Sequence, residues 1–331
     1  MKSSLRIAWL LAILPFLLAG CIKAKFSLFP DSTEPLEEYT LEGSAREKIL
    51  VVSLRGVMAD GPRESLLRTR PSMVQEVVSQ LRKAEEDKNV KALLLKVDSP
   101  GGTVTASDLL YHEIMRFKER SGAKVVAVLM GVAASGGYYA ALSADVIVAH
   151  PTTITGSIGV IVIKPKVVGL MEKIGLDVEV DKSGRNKDMG SPFRRTTEEE
   201  REITQSLIDG LAERFLNLVE SHRSLDPAWL QSVASARVYL ADEALKIGLV
   251  DQVGYLDDAV DRAKALAGLP ENARVVVYRR TEQSDDNVYN SGTALSRGGA
   301  LRLLELGMLD HINLMPSGFY YLWIPAANGL Q

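Results

Sequence analysis

Cysteine is all but missing from this chain, and its scarcity closes off two kinds of chemistry. The single residue, Cys21, cannot form an intrachain disulfide and cannot build a cysteine-based metal site. Histidine is nearly as scarce, with four in 331 residues. His112 falls mid-helix four residues after Asp108 and reads as a surface residue, and His150 precedes Pro151 at a strand end. His222 ends a long helix, where a cation suits the dipole, and His311 lies in the tail. None sits where a histidine-based triad needs it. Neither charge dominates, and a net charge of −3 gives no reason to expect a nucleic-acid partner. The amino-terminal apolar run, Ile7 to Leu18, has 12 residues. A membrane-crossing helix needs about 18 or more.

That run is informative for what surrounds it. Lys2 and Arg6 make a basic start, and Lys23 and Lys25 close the stretch early, the pattern of a secretory signal. Leu18-Ala19-Gly20-Cys21 resembles the lipobox of bacterial lipoproteins. The resemblance implies diacylation of Cys21, cleavage before it and acylation of the new terminus. Several acyl chains anchor stably where one is marginal. An uncleaved anchor, or a plain signal with an incidental cysteine, are the other readings. Position 22 is Ile rather than the Asp of the inner-membrane retention signal in Gram-negative lipoproteins. The expected place is the bacterial cell envelope, with the folded part on the extracytoplasmic side.

Composition then shifts along the chain. Residues 1–20 form the signal, and 21–46, with Pro30, Pro35 and scattered acids, read as a membrane tether. Residues 47–280 read as one domain in which strand and helix signals alternate. Ile49–Leu54, Ala92–Val97, Val125–Met130 and Val146–Ala149 are predominantly apolar runs, interrupted only by Ser53 and Lys96, the signature of strands buried on both faces. Between them lie helical patterns, the first opened by a Ser72/Gln75 capping box. A long amphipathic helix over Thr197–Ser221 places Ile203, Leu207, Leu211, Phe215 and Leu218 on one side. This alternation argues for an α/β fold with a largely parallel sheet and flanking helices. Residues 281–297 are polar and read as a linker. Residues 298–331 end in Phe319, Tyr320, Tyr321 and Trp323, a docking or oligomerisation tail.

Two strand ends carry small residues suited to chemistry. The first is Gly131-Val132-Ala133-Ala134-Ser135-Gly136-Gly137, where a hydroxyl stands between an apolar strand and an apolar helix. Glycine lets backbone approach a substrate, and a helix start aims unpaired N–H groups at the serine oxygen. Ser135 therefore reads either as a nucleophile or as a helix cap in a tight crossing. Position 133 is Ala, so this is not the Gly-x-Ser-x-Gly elbow. The second is Asp98-Ser99-Pro100-Gly101-Gly102, either a second oxyanion donor or an ordinary turn. With histidine unsuited, a lysine is the remaining base. A free lysine near about 10.4 must fall to about 7–8, which takes roughly 3.5–5 kcal/mol of destabilisation of the ammonium.

Gly131–Ala140, Thr155–Gly159 and Lys187-Asp188-Met189-Gly190-Ser191-Pro192, in this order, resemble the signal peptide peptidase A family in its short form with one catalytic domain. These are Ser/Lys peptidases of the Clp protease/crotonase fold. Arg237-Val238-Tyr239 and Ala241–Asp251 resemble the closing segment of that superfamily, and the likeness spans about residues 48–255. The resemblance implies Ser135 as nucleophile, Lys187 as general base and Ser157 as the hydroxyl orienting the lysine. It implies the N–H groups of Gly102 and Gly136 as oxyanion hole. It implies no metal or organic cofactor. It also implies rings or domes with active sites at subunit boundaries, so that Lys187 serves its own or a neighbouring Ser135. The expected partners are extended apolar peptides such as residual signal peptides, added as a strand to a sheet edge. Their small terminal residues imply a shallow apolar S1 pocket. A crotonase-type acyl-thioester enzyme and an inactive lipid-anchored scaffold are the rival functions. Arg185, Lys182 and Arg194 crowd Lys187, either aiding its deprotonation or marking a solvated loop.

Overall fold

Strand residues that are apolar on both sides of the chain define the centre of the molecule. The computed structural model describes residues 34–65, 68–283, 286–290 and 318–327. The expectations for the signal, Cys21 and the first part of the tether lie outside the described residues, as does 291–317. In chain order the elements are β1 (Glu37–Glu42), β2 (Lys48–Arg55), β3 (Arg63–Ser65), β4 (Arg68–Arg70), α1 (Met73–Glu85), β5 (Val90–Ser99), β6 (Gly101–Thr103) and α2 (Val104–Ser121). Next come β7 (Lys124–Ala134), α3 (Gly136–Ala141), β8 (Val146–Ala149), β9 (Ile154–Gly156), β10 (Ile161–Ile163), α4 (Val168–Ile174) and α5 (Glu198–His222). The chain closes with α6 (Pro227–Ala234), β11 (Val238–Leu240), α7 (Ala241–Lys246), β12 (Gln252–Val253), α8 (Leu256–Ala267), β13 (Arg274–Arg279), β14 (Gly318–Leu322) and α9 (Ile324–Ala327).

The main sheet runs β1-β13-β2-β5-β7-β8-β12. Its pairings are parallel except β1 on β13 and, off this path, β11 on β9, so the fold is α/β with a largely parallel sheet, as expected. Alternate residues serve opposite faces. Leu50, Val52, Leu93, Leu95, Val125 and Ala127 meet Val77 and Leu81 of α1 and Leu110, Ile114 and Phe117 of α2. Ile49, Val51, Ala92, Leu94, Val126 and Val128 meet Leu256, Ala259, Val260 and Ala263 of α8. The Ser72/Gln75 capping box starts α1, and Thr197 with Glu200 forms the same device at α5.

Three segments differ from the sequence reading. Glu37–Glu42, assigned to the tether, pairs with β13 and forms an edge of the sheet. The side of α5 is turned from the expected stripe. Phe215 is buried as expected, but Leu207 is exposed, and the other buried residues are Glu200 (paired with Arg194), Thr204 and Val219. Within the expected tail, β14 lies between β6 and β10 in a separate three-stranded antiparallel sheet.

β7 is the strand that positions the site. Its first half pairs with β8 and its last three residues pair with β9, so it forks two neighbours on one side. β5 and β7 lose register between Val97 and Ser99. Asp98 fills the fault by accepting the Val132 N–H at 3.2 Å. Phe117 is wholly buried against the sheet. Phe117→Ala is expected to lower stability by about 3–5 kcal/mol in a denaturant titration, through lost burial and the cavity left behind.

Candidate active site

Ser135 ends β7 and caps α3 with φ 53° and ψ −117°. Among the described residues only three non-glycine residues have positive φ: Ser135, Ser157 and Ala236. Such a conformation costs about 1–3 kcal/mol and persists only where neighbours hold it. For Ser135 the holding bonds are its N–H to the Gly156 carbonyl at 2.7 Å and its carbonyl from Tyr139 N–H at 2.9 Å. Ser157 donates its N–H to the Arg237 carbonyl at 2.8 Å. The β7–β9 register pairs Ala134 with Gly156, so Ser135 and Ser157 leave neighbouring strands side by side. Both are buried, and the Ser135 hydroxyl has no hydrogen-bond partner.

The Asp98–Gly102 turn is built by its own side chains. The Ser99 hydroxyl donates to the Gly56 carbonyl at 2.7 Å and accepts the Gly101 N–H at 3.1 Å. Gly101 has φ 99°, and a Cβ there would overlap the Tyr321 carbonyl oxygen and sit 2.6 Å from Gly136 N. A Cβ on Gly136 would run into the Ser107 hydroxyl and come within 3.0 Å of the same carbonyl oxygen. Both glycines are therefore demanded by close approach.

β14 explains that carbonyl. It pairs Tyr321 with Gly102 and Leu322 with Gly101, and Trp323 donates its N–H to the Pro100 carbonyl at 2.9 Å. Hydrogen-bonded pairs alternate along an antiparallel ladder, so Tyr321 and Gly102 exchange both bonds. The other side of β6 is occupied, since Met58 bonds the Gly101 carbonyl and accepts the Thr103 N–H. The Gly102 N–H thus points at the Tyr321 carbonyl, next to Gly136 and Ser135. On its far edge β14 pairs with β10, Tyr320 opposite Ile161.

Lys187 is not brought to this place. It lies exposed in the 164–197 segment and makes no hydrogen bond to Ser135. Its neighbour Asp188 is clamped instead. Arg194 bonds the Asp188 carboxylate at 2.7 and 2.9 Å and also pairs with buried Glu200, and Lys182 reaches Asp188 at 2.7 Å. Arg194 first, then Lys182, hold the Asp188 carboxyl well below the usual carboxylate range. Arg194 likewise lowers Glu200, against the opposing effect of its burial. Two of the histidines are engaged elsewhere: His150 with Thr152 and Tyr255, His222 with Tyr111 at 2.7 Å.

Of the expected site residues, Ser135, Ser157, Gly102 and Gly136 fall in one region and Lys187 does not. The sequence reading gave no part to the side chains of Asp98, Ser99 and Ser107 and did not pair the strand Gly318–Leu322 with β6. The last carried a readable signal, a β-prone aromatic run.

Comparison with known proteins follows the same lines. The model of Peptidase family S49 matches residues 118–270, and that of Clp protease matches residues 68–153. A candidate signal peptide peptidase SppA of Enterococcus faecium is 37% identical over 252 residues, covering 76% of this chain and 73% of that protein. Protease 4 of Haemophilus influenzae is 31% identical over 276 residues, covering 83% of this chain and 44% of that protein. Among solved structures a ClpP1 variant of Listeria monocytogenes aligns with a TM-score of 0.41 at 18% identity, over 63% of this chain and 94% of that one.

The pKa values of the Asp188 and Glu200 carboxyls are lowered in the fold, so the stability their ion pairs contribute is complete above the ordinary carboxylate range and is lost as pH falls from that range to the lowered folded values. Thermal melting of the wild type is expected to lose stability between about pH 5 and pH 2, and Arg194→Ala to flatten that dependence. The same substitution frees the segment holding Lys187. It is expected to lower peptidase turnover by about a hundredfold with circular dichroism unchanged.

Proposed function

Since the chain belongs to the S49 peptidase family and is a serine-type peptidase, we propose that it is a membrane-tethered endopeptidase that degrades cleaved signal peptides and similar apolar peptides. The observation that carries this reading is the buried, unpartnered Ser135 hydroxyl at the start of the Gly136–Gly137 turn, packed against the Gly101–Gly102 strand whose Gly102 pairs with Tyr321. A substrate strand enters between β6 and β10 and places its scissile carbonyl there. Ser135 Oγ attacks the carbon. The negative charge that develops on the carbonyl oxygen is met by the N–H groups of Gly102 and Gly136, each worth about 10²–10³ in rate. Lys187 takes the hydroxyl proton and returns it to the leaving amine. Water then resolves the acyl-enzyme. Ser157, beside Ser135 and equally strained, orients the lysine amine.

Lys187 comes to this site from a neighbouring copy. Its exposure in a single chain supports this, as does the apolar surface around it. Leu170, Ile174, Leu176, Val180 and Phe193 are all exposed on the same segment, a surface suited to burial between subunits. A closed ring of copies then encloses the sites and admits extended peptide while excluding folded protein. Lipidated Cys21 holds the assembly at the extracytoplasmic face of a bacterial membrane. Among the described residues no helix is long and apolar enough to cross one.

Ser135→Ala and Lys187→Ala are each expected to abolish turnover of a fluorogenic apolar peptide. Ser157→Ala is expected to slow it by about 10²–10⁴, the range of a general-base contribution. Unfolding and refolding an equimolar mixture of the two inactive variants is expected to restore part of the activity, because some sites then pair a native serine with a native lysine. Recovery of none would assign Lys187 to its own subunit, and full activity of Lys187→Ala would remove the dyad.

A further inference from the structure

One buried hydroxyl beside the site takes no part in the steps described so far. Ser107, the fourth residue of α2, is wholly buried on the apolar side of that helix with Ala106, Leu110 and Ile114. Its hydroxyl donates to the Thr103 carbonyl at 3.0 Å, which satisfies it locally. Alanine here would bury no polar group and would favour the helix more, so stability gives no reason for the hydroxyl. The contacts of its oxygen outside α2 do. A Cβ on Gly136 would stand 2.2 Å from Ser107 Oγ, so this oxygen fills the space beside the Gly136 backbone. Ser107 Oγ also lies 3.9 Å from Met58 Sδ. Met58 in turn backs Gly102, since the two form a bridge and a Cβ on Gly102 would overlap the Met58 carbonyl oxygen. The series Gly102, Met58, Ser107, Gly136 is thus continuous, and every member is buried.

We propose that Ser107 is a positioning residue for the peptidase reaction: its oxygen, wedged between Met58 and the Gly136 backbone, sets the separation of Gly102 and Gly136. The inference rests on the Ser/Lys peptidase reading above, in which the N–H groups of those two glycines receive the charge on the substrate's carbonyl oxygen. Ser107 itself touches neither substrate nor reacting atoms. The position calls for a side chain one heavy atom longer than alanine and no bulkier. Alanine leaves a gap into which Gly136 sinks, and a larger atom drives Gly136 outward, because close-packed interiors transmit such changes to their neighbours. Ser135 precedes Gly136 in the chain and shifts with it. The charge on the carbonyl oxygen develops only in the transition state, so a misplaced donor slows the chemical step and leaves substrate binding alone.

The test uses the full-length chain in its assembled form, as wild type, Ser135→Ala, Ser107→Ala and Ser107→Cys. Turnover of a fluorogenic apolar peptide is measured per active site, the sites being counted with a phosphonate that stays bonded to Ser135. Inhibition by a peptide aldehyde, whose oxygen takes the oxyanion position once Ser135 adds to it, is compared with inhibition by the matching peptide alcohol. Ser107→Ala is expected to lower kcat about tenfold and to weaken the aldehyde by the same factor, with KM and the alcohol unchanged. Ser107→Cys, with its larger atom, is expected to lower kcat about a hundredfold in the same pattern. A merely structural serine would change the melting temperature and the number of titrated sites, not kcat per site. Wild-type kcat per site and aldehyde affinity in both Ser107 variants overturn this proposal, while turnover lost only in Ser135→Ala leaves the peptidase reading standing. An equal loss for aldehyde and alcohol also overturns it, by moving Ser107 to substrate binding. A wild type inert to the peptide overturns both readings.

Discussion

The bond from the Ser135 amide to the Gly156 carbonyl, 2.7 Å long, is the constraint from which the site follows. It joins the residue that follows β7 to β9 and lets the chain leave at positive φ. A serine in an ordinary strand conformation at that point would continue the ladder and present its hydroxyl to one sheet face. Held at φ 53°, it leaves the ladder, and the next residue, Gly136, comes up against Gly101. The same linkage places Ser157 alongside, and Ser157 is in turn held by the Arg237 carbonyl. Three strained residues, Ser135, Ser157 and Ala236, thus share one small region, and β7, β9 and β11 together supply the rigidity that keeps them there.

Much of this was legible in the amino acids. The runs Ile49–Leu54 and Ala92–Val97 read as parallel strands because they are apolar on both faces, and both faces are covered by helices. Ser135 stood out because small residues surround it at a strand–helix junction. Tertiary pairings were harder to read. Glu37–Glu42 carries four polar residues in six, and nothing local says that an antiparallel neighbour from the far end of the domain completes it. Leu207 belongs to the periodic stripe of α5, yet it is exposed, while the charged Glu200 is buried and tied to Arg194. The aromatic run at 318–322 read as a docking segment. Its place against Gly102 depends on the edge that β6 leaves unpaired, which no window of sequence contains.

Charge sets the limits of the single chain. Asp188, Arg194, Lys182 and Glu200 lock the 182–200 segment to the start of α5, while most apolar side chains of 167–193 face outward. The segment is ordered by ion pairs rather than by a core of its own. Its rigidity is therefore sensitive to proton concentration and salt, whereas the Ser135 side of the site rests on a dry parallel sheet that neither perturbs strongly.

The register fault between β5 and β7 has a consequence for how such a cleft arises. Had the two strands stayed in step to their ends, Ser99 to Gly102 would simply have lengthened the sheet, and β6 would have had no free edge. Asp98 makes the misalignment permanent by answering the Val132 amide that the fault leaves bare. A hydrolytic groove is here the by-product of a dislocation, and a single carboxylate prevents the lattice of strands from healing it.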